Sequence, residues 1–145
     1  LDTLRGNIRQ SSAQPSDALN RRLDEFAVQI EVLDALEMEI LGKLASGAPT
    51  GTDASMMKIL GTELEQRSTE LQLEAAGPIS RAWQPGVGAP GGTVLNYPMP
   101  IADYCSDAPW KAVAPLRYLN ERAGTIYAGT NEIQRNIIAK AEFGL

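Results

Sequence analysis

Apolar residues recur at three- and four-residue intervals over most of this chain, which is the helical period. The clearest run is Leu19, Leu23, Phe26, Ile30, Leu33, Leu36, Ile40 and Leu44, which makes one stripe. Arg21, Arg22, Asp24, Glu25, Glu31, Asp34 and Glu37 lie mainly off it. Ser16 is placed to cap this helix, and Asp17 sits in the first turn, where the helix dipole favours negative charge. Gly47 and Pro49 end it. About 30 residues of helix make a rod of roughly 45 Å. Before it, Leu1, Leu4 and Ile8 predict a helix from Leu1 to about Gln10, broken by the polar stretch from Ser11 to Pro15.

The turn from Gly47 to Gly51 is short enough to reverse the chain, and Thr52 can cap a third helix. Met57, Leu60, Leu64 and Leu71 mark its inner face, and it ends near Gly77 and Pro78. Two long helices joined by a short turn form an antiparallel hairpin. From 78 to about 109 the periodicity lapses, and Gly86, Gly88, Gly91 and Gly92 cluster between Trp83 and Tyr97. This predicts a long irregular insertion, and Trp83, Tyr97, Tyr104 and Trp110 indicate that it packs on something. Pro115 suits the first turn of a shorter helix through about Ala123. A last helix runs from about Asn131 to Glu142, with Ile133, Ile137, Ile138 and Ala141 on its apolar face. The expected fold is all-α: an antiparallel up-down four-helix bundle with a long irregular insertion.

The chain has 145 residues, enough for one domain that buries roughly 70% of the surface exposed by its unfolded chain. Leu1 is not a start methionine and helical pattern begins at once, so a piece of a longer chain is expected. Net charge is −5 with scattered basic residues, which argues against nucleic acid as the main partner. No apolar run approaches the roughly 20 residues needed to span a bilayer. Cys105 is the only cysteine, so no intramolecular disulfide can form, and a reducing, cytoplasmic compartment is the natural expectation. With no histidine, Cys–His and Ser–His catalysis and Cys/His zinc sites within this chain are excluded; no metal site is expected.

Candidate chemistry concentrates near the C-terminus, in Ile126-Tyr127-Ala128-Gly129-Thr130-Asn131-Glu132-Ile133-Gln134-Arg135. A Gly-Thr-Asn turn opens an amphipathic run, setting a helix N-terminus beside a flexible glycine. Such a terminus offers backbone N–H groups to an anion or a carbonyl. Thr130 also reads as a plain helix cap, and the two roles can coexist.

This stretch resembles the C-terminal signature of the acyl-CoA dehydrogenases. A second stretch carries the likeness too: Lys58-Ile59-Leu60-Gly61-Thr62-Glu63-Leu64-Glu65-Gln66-Arg67, running on to Leu73-Glu74-Ala75-Ala76-Gly77-Pro78. Within the family, the wording stands nearest the large subunit of pimeloyl-CoA dehydrogenase and related bacterial enzymes. The resemblance implies that residues 1–145 form the family's C-terminal helical domain. It implies a part in FAD-dependent oxidation of an acyl-CoA to the trans-2-enoyl-CoA, as in fatty acid β-oxidation. By resemblance, Ala128 and Gly129 would bind the substrate: the Ala128 N–H would meet the thioester oxygen, and Gly129 would let it come close. Thr130, Asn131 and Glu132 would face the FAD, and Gly77 would meet the FAD of a neighbouring subunit. The isolated piece would be inactive without the N-terminal and middle domains.

The sequence departs from the family's pattern at several positions. The signature usually reads Tyr-Glu-Gly-Thr, with the glutamate as catalytic base, and here that position is Ala128. Hence no catalytic residue is assigned on this chain, and Glu132, one helical turn on, is expected to point elsewhere. The family's Gln-x-x-Gly-Gly loop reads Glu74-Ala75-Ala76-Gly77-Pro78, where Glu74 would repel a pyrophosphate unless turned away. Its Arg-x-x-Phe-Gly motif is absent near residues 6–10, leaving Arg5 or Arg9 as substitutes. Two readings follow. The base lies on an earlier helix, before Leu1, as in the isovaleryl and long-chain branches. Alternatively, this is a non-catalytic assembly subunit of a hetero-oligomer whose partner supplies the base.

Overall fold

The structure is a computed structural model that describes residues 1–10, 15–81 and 109–144. From 82 to 108, the expected insertion lies outside the described residues, with Trp83, Tyr97, Tyr104 and Cys105. The described chain is all-helical: α1 (Asp2–Gln10), α2 (Asp17–Ser46), α3 (Asp53–Ala76), a short 3₁₀ helix (Gly77–Arg81), α4 (Pro109–Glu121) and α5 (Asn131–Phe143).

The ends of α2 follow from single residues. The Ser16 hydroxyl accepts the Leu19 N–H at 3.1 Å, satisfying one of the otherwise unpaired donors of the first turn. Gly47 has φ 72, and the N–H groups of Gly47 and Ala48 donate to the carbonyls of Leu44 and Lys43. That pair of bonds is the Schellman stop, for which glycine is the cheapest residue. The chain then reverses into α3. Lys43 lies against Asp53 near the turn, Glu25 against Arg67 further along, and Arg22 against Glu74 at the far end, so the two helices run antiparallel.

α3 is the central element, packed by α2, α4, α5 and the 3₁₀ helix. On one side Leu71, fully buried, joins Leu4 and Ile8 of α1 and Leu19, Leu23 and Phe26 of α2 in one apolar cluster, with Trp110 of α4 against it. Along the stripe of α2, burial fades from Leu19, Leu23 and Phe26 through half-buried Ile30, Leu33, Leu36 and Ile40 to exposed Leu44, and further apolar residues off the stripe stand in the open. Val28, Val32, Met38, Leu41 and Leu44 are 48–68% exposed. Together with Leu33, Leu60 and Leu64, Val28 and Val32 line an open cleft of about 300 Å³ between α2 and α3.

Three local expectations are corrected. Thr52 stands at the N-cap of α3, but its hydroxyl makes no cap and instead donates to Glu142 of α5 at 3.0 Å. The fourth helix starts at Pro109, not Pro115, and ends at Glu121. Proline suits either start, but beginning at Pro109 buries Ala112 and Ala114 to 1% exposure and seats Trp110 on the core. Pro115 then sits inside the helix and removes one ladder bond. The inner face of α3 is broader than Met57, Leu60, Leu64 and Leu71. Ser55, Ile59, Thr69 and Ala76 are buried with Leu71, because a helix packed on several sides has no single stripe.

Candidate functional site

Beyond Glu121 the chain winds down through short-range bonds, from Ala123 to the Asn120 carbonyl, Gly124 to Glu121, and both Ile126 and Tyr127 to Ala123. It then turns sharply. Ala128 has φ 56 and Gly129 φ 85. Ala128 is the one non-glycine at positive φ among the described residues. A left-handed backbone costs an ordinary residue about 1–2 kcal/mol, so it persists only where its surroundings fix it. At Gly129 the same sign of φ needs no side chain, and a Cβ there would stand 2.7 Å from Gln134 Nε2.

What fixes the turn is a row of polar residues on α3. Lys58, Thr62 and Gln66 are spaced by four and share a face. Lys58 Nζ donates to Asn131 Oδ1 at 2.7 Å, and the Thr62 hydroxyl meets the same oxygen at 3.2 Å. Gln66 Nε2 donates to the Glu121 carbonyl at 3.0 Å and reaches Thr125 Oγ1 at 3.3 Å. From the other side, Arg122 donates to Glu70 at 3.0 Å and to the Gln66 carbonyl at 3.1 Å. Its guanidinium also stacks over Tyr118, 4.3 Å from the ring centre. The Gln66 bond gives the Glu121 carbonyl at the end of α4 a partner that its own helix cannot supply.

The start of α5 spends most of its donors internally. The Thr130 hydroxyl caps the helix by accepting the Ile133 N–H at 3.2 Å. The Asn131 N–H donates to the Thr125 carbonyl at 3.0 Å. The Glu132 carboxylate is held below the usual range by its own backbone N–H first, then by the Thr130 hydroxyl, and more weakly by Arg135 and Lys58. In contrast, the N–H groups of Ala128 and Gly129 meet no acceptor among the described residues, and both residues are exposed. The corner therefore offers neutral donors at Ala128 and Gly129, beside a negative charge at Glu132. That suits a polarised carbonyl better than a phosphate.

The expected site residues thus take different places. Ala128 and Gly129 lie together on the exposed turn, with Thr130 and Glu132 on its rim. Asn131 is 2% exposed and its side chain points inward to Lys58 and Thr62. Gly77 is far from them. It ends α3 some 15 residues past Thr62, roughly 22 Å along the helix. Its φ 70, ψ −155 conformation is open to glycine alone, and the space where a Cβ would stand is empty. Beside it, Glu74 is paired with Arg22, so its charge does not stand alone. Arg5 pairs with Asp24 at 2.7 Å. Among the described residues no cluster of acids could hold a metal ion, and no helix is long and apolar enough to cross a membrane.

Lys58, Thr62, Gln66 and Arg122 are the residues that apolar periodicity passes over. Lys58, Thr62 and Gln66 share a four-residue spacing along α3, a pattern that solvated helix surface also shows.

Comparison with known proteins bears on the same residues. No curated protein and no solved structure matches the chain. A family model described as acyl-CoA dehydrogenase, C-terminal domain, matches residues 9–143, which takes in the α3 row, the Ala128–Gly129 turn and Gly77. The chain belongs to the acyl-CoA dehydrogenase C-terminal domain family.

Proposed function

We propose that this chain is the C-terminal helical domain of an FAD-dependent acyl-CoA dehydrogenase, an antiparallel up-down four-helix bundle, with Ala128 and Gly129 as its thioester corner. The observation that carries this reading is the pair of unpaired, exposed N–H groups on a turn held in a left-handed conformation. A thioester oxygen placed there accepts from Ala128, and the bond strengthens as the oxygen gains negative charge during loss of the α-proton. FAD, when bound, supplies the acceptor for the β-hydrogen as hydride.

The residues present fit such a cofactor in two places. At the corner, Thr130 and Glu132 border the reacting end, and Asn131 serves from beneath by holding the turn. At Gly77, an open backbone lets a neighbouring subunit's cofactor approach, with Glu74 neutralised by Arg22. The base is not on this turn. Ala128 has no functional side chain, and Glu132 is a carboxylate stabilised in its ionised form by its own N–H and Thr130. It therefore lies in an upstream domain of the same chain or on another subunit. The exposed apolar row from Val28 to Leu44 supports burial against those domains or subunits in a homo- or hetero-oligomer. Kinship with pimeloyl-CoA dehydrogenase and a β-oxidation substrate rest on the wording of the sequence.

The full-length protein, purified with any partner subunit, is the test. A flavin absorbance spectrum bleached by an acyl-CoA supports the reading. Absence of both flavin and acyl-CoA oxidation removes it. The second reading, a non-catalytic assembly subunit, is favoured by Ala128 and by Glu74 to Pro78. A homo-oligomer with dehydrogenase activity would sink that one.

A further inference from the structure

One cation beneath the corner is left unused by the chemistry above. Lys58 is half-buried, and its ammonium is directed at the turn. Nζ holds both ends of the turning segment, Asn131 Oδ1 at 2.7 Å and the Gly124 carbonyl at 3.4 Å. The Thr62 hydroxyl, one helical turn along α3, lies 3.2 Å from the same amide oxygen, but its single proton has nearer acceptors in the Lys58 and Ile59 carbonyls at 2.9 and 3.1 Å, which leaves Lys58 as the donor that holds Asn131.

Starting α5 does not require this. Thr130 already caps the helix, and the Asn131 N–H is already bonded to Thr125. Removing an ammonium from water is unfavourable, and a neutral donor would have satisfied one amide oxygen. What Lys58 adds is a charge-assisted bond to Asn131, about twice as strong as a neutral one, and a longer contact with the Gly124 carbonyl at the other end of the segment carrying Ala128. A strained residue stays strained only when its neighbours over-determine it. Ala128 itself makes no side-chain contact that could do so. Its φ of 56 occurs between two ends that are both held by bonds.

We propose that Lys58 is a positioning residue for thioester binding. Acting through Asn131, it holds the segment from Gly124 to Asn131 in the conformation that presents the Ala128 N–H to the thioester oxygen. This rests on reading the turn as the thioester corner.

The test uses the full-length flavoprotein, with its partner subunit if one co-purifies, and an enoyl-CoA as the bound probe. Infrared difference spectra read the carbonyl stretch, which falls in frequency when a donor polarises the thioester. In the unaltered protein the stretch is lowered on binding. Lys58→Met brings it back towards its value in water and lowers kcat about 10- to 100-fold, with flavin content retained. Asn131→Leu gives the same pair of losses, and the double variant is no worse than either alone, because both break one link. Asn131→Asp, which keeps an oxygen for Lys58, recovers most of what Asn131→Leu loses. If Lys58→Met fails to fold, Lys58→Gln, which keeps a donor and removes the charge, gives a smaller loss of the same kind.

The proposal is overturned if Lys58→Met, or Lys58→Gln in its place, leaves both the carbonyl frequency and kcat unaltered. Multiplying losses for Lys58 and Asn131 overturn it as well. If instead the unaltered protein binds enoyl-CoA with no carbonyl shift, the thioester corner is itself the error, and the proposal goes with it.

Discussion

On the side of α3 that faces α1 and α2, Leu4, Ile8, Leu19, Leu23, Phe26 and Leu71 meet in one buried apolar cluster. On the side that faces α4 and α5, Lys58, Thr62, Gln66 and Arg122 form a seam of directed bonds. The first is non-directional and scales with area. The second depends on each donor finding its acceptor, and gives little net energy per bond. The two sides divide the labour. The apolar side decides whether the domain folds, and the polar side decides the shape of the turn carrying Ala128 and Gly129.

The largest effect belongs to the apolar side. Phe26 is 4% exposed at the centre of the cluster. Phe26→Ala is expected to lower the unfolding free energy by about 3–5 kcal/mol, as loss of a buried aromatic does. Urea unfolding followed by circular dichroism measures it. A cost near that of an exposed residue would break the distinction between the two sides.

Next comes the seam. Arg122→Met keeps the stem of the side chain and removes its bonds to Glu70, Thr69 and the Gln66 carbonyl. The expected cost is about 1–3 kcal/mol, from acceptors left without partners. Amide exchange should accelerate most at residues 121–131 and least at Leu19, Leu23 and Phe26. Equal acceleration on both sides would mean that the seam is no more than another part of the core.

Met38→Ala tests the uncovered end of α2. Met38 is 68% exposed, and its truncation is expected to change stability by less than about 0.5 kcal/mol in this chain. The same change in the full-length assembly should cost several times more if this row is buried there. Equal small effects in both settings would leave the row as ordinary surface.

How much was legible follows the same division. The apolar side could be read because burial there imposes a period: Leu19, Leu23 and Phe26 were on the expected stripe and are buried. Helix ends were legible where a single residue settles the local geometry, as at Ser16 and Gly47. The polar side was not. Lys58 and Gln66 look like solvated helix surface until the partner segment, more than fifty residues away, is in place. Nothing local distinguishes a lysine whose acceptor is Asn131 from one in water. The same holds for Thr52, a capping residue by type and position, whose hydroxyl goes to Glu142 instead. Pro115 misled for a related reason: the local rule for helix starts was satisfied twice, and tertiary burial of Ala112 and Ala114 chose Pro109. At the corner, Ala128, Gly129 and Thr130 were legible as a turn and a cap. That Asn131 turns inward was not.

The smallest effect separates the two sides by pH. Glu132 is fully exposed, and its carboxyl is held below the usual range by its own backbone N–H and the Thr130 hydroxyl, with Arg135 and Lys58 adding to them. Folding therefore favours the ionised form. The stabilisation it brings is present above the unfolded-state pKa and fades as pH falls through the depressed folded-state value. In Glu132→Gln that contribution is missing. Melting temperatures of the two proteins should differ near neutral pH, with the unaltered protein higher, and converge as pH falls through the acid range. Phe26→Ala has no titrating group, so its deficit should persist across the same range. A Glu132→Gln difference that stays constant with pH would show that the carboxylate acts by shape alone.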